Sequence, residues 1–207
     1  MNETRPTGPN RDAPARSPAA PLLLVTGFGP FPGIADNPSG RFAEAIDGRV
    51  VEGVRVAGRV IPVRWRDAWT HIERHLAALR PDGLLMLGVA SERDRVEVEL
   101  IGRNHNRPAL DAAGELPPAP HIVPGGPSEL ESRLPWTALL GAGIGTSTDA
   151  GAYLCNHVLY RALHLGPERL PLCGFVHLPA APTEATERLV AALARRLRAP
   201  AAHEAVA

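Results

Sequence analysis

Two unbroken apolar runs do most to limit how this chain can fold: Leu22-Leu23-Leu24-Val25-Thr26 and Leu84-Leu85-Met86-Leu87-Gly88. A strand that alternates polar and apolar residues can face water on one side. A continuous run has no polar face and must be covered on both. Amphipathic helical patterns lie between the two runs and supply that cover. Trp65, Ala68, Trp69, Ile72, Leu76 and Leu79 follow helical spacing and stop at Pro81-Asp82-Gly83. Asn37-Pro38-Ser39 offers a helix cap, with Phe42, Ala45 and Ile46 on one face behind it. Apolar strands alternating with amphipathic helices predict a single-domain three-layer α/β/α sandwich around a mostly parallel mixed sheet.

The rest of the chain extends this pattern. Residues 54–63 read as a strand. Residues 95–101 alternate, with Val96, Val98 and Leu100 on one face and Glu97 and Glu99 on the other. By pattern alone, two carboxylates on one strand face water. Residues 104–127 are rich in proline and glycine and read as a long loop, a length that in a compact domain often serves function. A short helix over 135–140 and a strand over 143–148 follow. A helix then carries Leu154, Val158, Leu159, Ala162 and Leu163 on its core face. A last strand runs over 174–179, and Thr183 is placed to cap a final helix with Leu189, Val190, Leu193 and Leu197 inward. Residues 1–20, rich in Pro, Arg and Ala, read as a disordered tail, leaving 21–207 as the one domain. The tail lacks the apolar centre of a signal peptide, and no later segment has the length of a membrane span.

Composition excludes several classes. Lysine and arginine together number 22 and balance 22 acidic residues, so there is no general attraction to nucleic acid or anionic membrane. Every one of those cations is arginine. A phosphate-loop lysine, a Schiff-base lysine and a serine–lysine dyad are all ruled out. Two cysteines in a chain long enough to bury a full core suggest reduced thiols and a cytoplasmic setting.

Chemistry concentrates at Gly151-Ala152-Tyr153-Leu154-Cys155-Asn156-His157. The cysteine falls in the first turn of its helix, where unpaired backbone N–H groups and the macrodipole favour a thiolate. Packing would also explain a cysteine there, but His177, at the end of the 174–179 strand, offers the base that a nucleophile needs. Cys173 has no helix terminus beside it and reads as core. Phe28 and Phe31 lie in a Gly/Pro-rich loop, where they either pack or line an apolar pocket. Gly27-x-Gly29-x-x-x-Gly33 has the wrong last spacing for a dinucleotide fingerprint, and Pro30 and Pro32 obstruct the helix it would need. A zinc site from Cys155, His157 and His105 or His121 lacks a second compact ligand pair. The loops after Leu22–Thr26 and Leu84–Gly88, the Cys155 helix entry and His177 should all meet beyond the carboxyl ends of the strands.

These segments together resemble the pyroglutamyl-peptidase I (pyrrolidone-carboxylate peptidase) family. Val25-Thr26-Gly27-Phe28-Gly29-Pro30-Phe31 with Asn37-Pro38-Ser39 is similar to its opening motif. Gly151–His157 is similar to its nucleophile motif and Gly174-Phe175-Val176-His177-Leu178-Pro179 to its histidine motif. Gly125-Gly126-Pro127 and Leu134-Pro135 match in spacing. The resemblance implies a thiol exopeptidase that removes N-terminal pyroglutamyl residues from blocked peptides. It further implies a cytoplasmic homo-oligomer with no metal or organic cofactor. Cys155 would attack, His177 would transfer protons, and a glutamate would orient the histidine. Counting from Gly88 with Arg93 and Asn104 in register puts that glutamate at Glu99, with Glu97 as a rival. Phe28, Phe31 and Tyr153 would flank the lactam, with Val89 and Arg107 completing the substrate wall.

The chain departs from the family pattern at Val89-Ala90-Ser91-Glu92, around Glu99, and at Asn106-Arg107-Pro108-Ala109-Leu110-Asp111. Other readings therefore stand beside the first: a cysteine amidase for a different small N-blocked substrate, a non-catalytic binding protein of the same fold, or a redox thiol with Cys173 as its resolving partner.

Overall fold

A computed structural model describes residues 20–141, 143–180 and 184–199. The chain runs β1 (Leu22–Phe28), α1 (Pro38–Ile46), β2 (Val50–Val51), β3 (Val54–Ile61), α2 (Ala68–Leu79), β4 (Gly83–Val89), β5 (Val96–Glu99), β6 (Ile101–Arg103) and β7 (Glu129–Glu131). It continues through α3 (Trp136–Leu139), β8 (Ile144–Ser147), α4 (Leu154–His164), β9 (Leu172–Leu178) and α5 (Glu184–Arg198). Seven strands form one sheet in the order β2-β3-β1-β4-β9-β5-β8, and β6 and β7 pair separately. β3, β1, β4 and β9 are parallel, while β5 runs antiparallel to β9 and parallel to β8.

The unbroken apolar runs are the sheet's centre. Every residue of β1 and of β9 is buried, and β4 is buried as far as Gly88. One face carries Leu24, Leu84, Met86 and Phe175 against α2 and α4. The other carries Leu23, Val25, Leu85, Leu87 and Val176 against Ile46 of α1 and Leu189, Val190 and Leu193 of α5. The chain is the expected three-layer sandwich. Each large apolar side chain fully enclosed this way contributes roughly 1.5–3 kcal/mol.

α1 lies unusually close to the sheet. A Cβ on Gly27 would collide with the Ser39 carbonyl oxygen, and one on Gly58 with that of Ala43. Its cap is as expected: Asn37 Oδ1 accepts the Ser39 N–H at 3.1 Å, and Pro38 opens the helix. The buried face differs from the expected one. Ala43 and Ile46 point inward with Ser39 and Gly40, whereas Ala45 is exposed and Phe42 half-buried. The close seating over Gly27 and Gly58 rotates that stripe onto the sheet.

Residues 95–101 do not form one strand. The ladder breaks after Glu99, so β5 stays in the main sheet and β6 leaves to pair with β7. The face of β5 that holds Glu97 and Glu99 meets protein rather than water, with Glu97 at its half-buried margin. Glu99 is fully buried. Residues 104–127 form the expected irregular segment. The proposed tail and Thr183 fall outside the described residues, apart from Ala20.

Candidate active site

α4 begins at Leu154, which makes Cys155 its second residue. Gly151 enters the turn before it at φ +74°, a conformation suited to glycine. The Gly151 N–H donates to Asp149 Oδ1 at 2.9 Å. No acidic residue occupies the first turn and no side chain caps it, so the helix's own N–H groups remain the nearest donors. Cys155 is half-buried, and a Cβ added to Gly88 on β4 would stand 3.0 Å from its Sγ.

His177, the penultimate residue of β9, is 5% exposed. Its Nδ1 lies 2.6 Å from Glu99 Oε1 and its ring packs 5.0 Å from that of Phe175. With Nδ1–H donated to the carboxylate, Nε2 is the nitrogen left for the Cys155 sulfur. Burial alone would depress the imidazole. The charge of the Cys155 thiolate and its contact with the ring, together with Glu99, outweigh burial and push His177 up to about 9. Burial likewise acts to raise Glu99, yet His177, through its hydrogen bond and charge, and Arg93 hold that carboxyl below its ordinary range. The three side chains, from α4, β9 and β5, form one contiguous group.

Glu97 makes no hydrogen bond to the imidazole among the described residues. Its carboxylate is held by Arg93 Nη1 at 2.8 Å and by Arg95 Nε at 3.2 Å. Of the two candidate carboxylates, Glu99 is the one on the histidine.

Beside the sulfur lies a cavity of about 80 Å³, lined by Phe28, Phe31, Asn37, Val63, Val89, Tyr153, Leu154 and Cys155. Four of the five expected wall residues are therefore present. Arg107 is not among them. It is exposed outside the cavity, with its guanidinium carbon 5.6 Å from the Tyr153 ring centre and its N–H on the Ala152 carbonyl at 2.8 Å. Tyr153 is fixed from three sides: by Arg107, by the Trp65 ring edge at 5.0 Å, and by its own hydroxyl donating to the Leu110 carbonyl at 3.1 Å. Burial and the charge of Asp111 raise its phenol, so it stays neutral.

Sequence reasoning missed Val63 and Leu154 as wall residues and saw Asn37 only as a cap. Asn37 does both: its Nδ2 donates to the Gly29 carbonyl at 3.0 Å, which pins the loop that carries Phe28 and Phe31. Arg93 had served only to hold register, although its Nη1 is 2.6 Å from Glu99 Oε1. The redox reading finds no support. Cys173 is wholly buried in the core, and burial pushes its thiol up to about 12.

This arrangement can deliver a sulfur nucleophile to a carbonyl held at an apolar cavity, with a proton donor beside it. Comparison with known proteins agrees. The sequence profile of the Pyroglutamyl peptidase family matches residues 22–195. The pyrrolidone-carboxylate peptidase of Chromobacterium violaceum is 36% identical over 170 residues, covering 79% of this chain and 80% of that protein. That of Mycobacterium marinum is 36% identical over 190 residues, covering 86% and 83%. Among solved structures, pyrrolidone carboxyl peptidase from Pyrococcus furiosus matches with a TM-score of 0.78 at 29% identity, covering 85% of this chain and 99% of that one. The enzyme from Thermococcus litoralis matches at 0.77 and 27% identity, covering 86% and 92%. Shared sequence over about four-fifths of each protein, on the same sheet and helices, makes this chain a member of the pyroglutamyl peptidase family.

Proposed function

We propose that this chain is a cysteine exopeptidase that removes an N-terminal pyroglutamyl residue from peptides, with Cys155, His177 and Glu99 as its catalytic group. The observation that carries the reading is the 2.6 Å contact between Glu99 and His177, beside a cysteine that opens onto a small apolar cavity. Cys155 as thiolate attacks the carbonyl that joins the pyroglutamyl ring to the next residue. A carbon–sulfur bond forms and the carbonyl oxygen takes the negative charge. The free backbone N–H groups at the head of α4 are placed to receive that charge. The imidazolium then gives its Nε2 proton to the departing amine as the carbon–nitrogen bond breaks, leaving an acyl-enzyme. His177 next takes a proton from water, which attacks the thioester and frees pyroglutamate. Glu99 holds the ring in one tautomer throughout.

The cavity supports this substrate class. Phe28, Phe31, Val89 and Tyr153 form walls for a compact ring, and apart from the nucleophile Cys155 the lining is made of neutral side chains. An ordinary peptide N-terminus would bring an ammonium group into that apolar space at a large desolvation cost. Cyclisation to the lactam removes the charge and leaves an amide that can enter. Among the described residues no helix is long and apolar enough to cross a membrane. The likeness on which the sequence reading rests supports a homo-oligomer working in the cytoplasm, which light scattering and cell fractionation would check. Activity is tested by release of a chromogenic amine from a pyroglutamyl amide. The folded, reduced protein should release it and Cys155→Ser should not; no turnover by the unaltered protein refutes the proposal.

A further inference from the structure

We propose that Arg93 is a positioning residue for this catalysis: its guanidinium fixes the Glu99 carboxylate toward His177, while Glu97 draws part of the arginine's charge away. The inference rests on the peptidase reading above. Arg93 Nη1 stands 2.6 Å from Glu99 Oε1 and 2.8 Å from Glu97 Oε2. Nη2 is tied to the Asp149 carbonyl at 3.1 Å and to Ser147 Oγ at 3.4 Å, so the fork is braced against the turn after β8. No contact joins Arg93 directly to sulfur or imidazole among the described residues. It acts through Glu99.

Glu99 depends on that contact. Both His177 and Arg93 bind Oε1, whereas Oε2 is buried and makes no hydrogen bond among the described residues. Without Arg93 the carboxylate keeps the imidazole and the Ser147 side chain but loses its guanidinium tie. With one of its two counter-charges gone, it can turn about its last torsion or take up a proton more readily, since burial favours the neutral carboxyl. Either change removes the acceptor that fixes the ring's Nδ1–H.

The charges facing this group are few. The loop before β5 gives Arg93, with Glu92 and Asp94 exposed on either side. β5 gives Glu97, which also binds Arg95. β9 gives His177 and α4 gives Cys155. The turn after β8 gives Asp149, whose carboxylate lies 3.6 Å from Arg103. At this level β4 contributes only Gly88 and Val89. Among the described residues Arg93 is thus the one cation that binds both β5 glutamates, and replacing it or Glu97 alters the field on the thiolate–imidazolium pair in opposite senses.

The test measures two quantities against pH for wild type, Arg93→Met, Arg93→Lys and Glu97→Gln: the rate of Cys155 alkylation by iodoacetamide, and kcat and KM on a pyroglutamyl amide. Arg93→Met removes a cation, so the acid limb of alkylation should move to higher pH by about half a unit or more. Its kcat should fall at least roughly tenfold with KM little changed. Arg93→Lys should recover most of the limb position. Glu97→Gln removes an anion and should move the limb the other way. Superimposable limbs for wild type and Arg93→Met, or shifts of the same sign in Arg93→Met and Glu97→Gln, overturn the proposal. If wild type alkylates but never turns over the amide, the substrate reading fails while the alkylation limbs still decide the role of Arg93.

Discussion

Across the antiparallel β5–β9 pair Glu97 stands directly opposite His177, yet Glu99, two residues further along and opposite Phe175, is the carboxylate that reaches the imidazole, at 2.6 Å. Directly opposed residues share a face, as do residues two apart on one strand, so Glu97, Glu99, Phe175 and His177 all point toward α4. Arg95 binds Glu97 alone, whereas Arg93 spans both glutamates. Arg93 and Arg95 hold Glu97 at the half-open rim, while Glu99 reaches diagonally to the ring in the closed interior.

The diagonal contact sets the first expectation. Glu99→Gln keeps the shape of the side chain but offers the ring a neutral partner and no longer dictates its tautomer. Its kcat should fall on the order of 10²-fold or more, in the range of orienting and acid–base groups in such triads. Glu97→Gln should stay within about tenfold of wild type, because Glu97 makes no hydrogen bond to the ring. Steady-state kinetics on a pyroglutamyl amide would check the ranking, and a larger loss at Glu97 would reverse the assignment.

His177 gives a signed pH dependence. Its value in the fold, about 9, lies above its ordinary 6.5. The stabilisation it carries is therefore complete below about 6.5 and is lost as pH rises through about 9. The same deprotonation removes the proton meant for the leaving amine, so kcat should fall over that upper limb. Because the Cys155 thiolate is the first of the groups that raise the imidazole, Cys155→Ala should lower the ring's midpoint. An NMR titration of the His177 ring in both proteins would show it, and an unchanged midpoint in the variant would remove the thiolate as the cause.

Gly88 makes a steric prediction. An added Cβ would lie 2.7 Å from Phe175 Cζ, which is fully buried with little room to yield, and 3.0 Å from Cys155 Sγ, which can be pushed only toward the cavity. Gly88→Ala should cost roughly 1–3 kcal/mol as overpacking and displace the sulfur from the ring. Alkylation of Cys155 by iodoacetamide should slow at least severalfold, with urea unfolding reporting the stability loss. Wild-type reactivity in this variant would mean that the sulfur has space the geometry denies it.

How legible each part was follows from what encodes it. Leu22–Thr26 and Leu84–Gly88 were readable as central strands because a continuous apolar run has few other homes. Asn37-Pro38-Ser39 was readable as a helix start because capping chemistry is local. Glu99 was not readable from periodicity: its alternation with Val98 was real, but only tertiary packing brings His177 and Arg93 over the polar face of β5. The family resemblance, not the pattern, pointed to Glu99. Arg93 lay further out of reach, since its partners Glu97, Glu99 and Asp149 come together only when β5 and β8 pair. Arg107 illustrates the converse: a register in sequence placed it on the wall, whereas its backbone bond to Ala152 sets the side chain outside Tyr153.

His157, two residues beyond the nucleophile, should govern acid stability. It is 2% exposed, and burial, helped by the charge of Arg161, pushes it down to about 4, so it stays neutral in the fold. Its Nδ1–H donates to Asn106 Oδ1 at 3.0 Å, and Asn106 Nδ2 donates in turn to the Ala119 carbonyl at 2.9 Å. The proline-rich loop is thereby tied to the helix that carries Cys155. The unfolded chain protonates this histidine near 6.5 while the folded one resists until about 4, so stability is present above 6.5 and drains away as pH falls between those values. The full excursion is worth on the order of 3 kcal/mol. His157→Gln can still donate to Asn106 but cannot take up the proton, so its urea midpoint should vary less between about pH 7 and pH 4.5 than that of wild type. Glu99, held low in the fold, adds its own loss only as pH falls below the ordinary glutamate range, which separates the two contributions. Equal slopes for His157→Gln and wild type over that interval would show that the buried imidazole is not the group being charged.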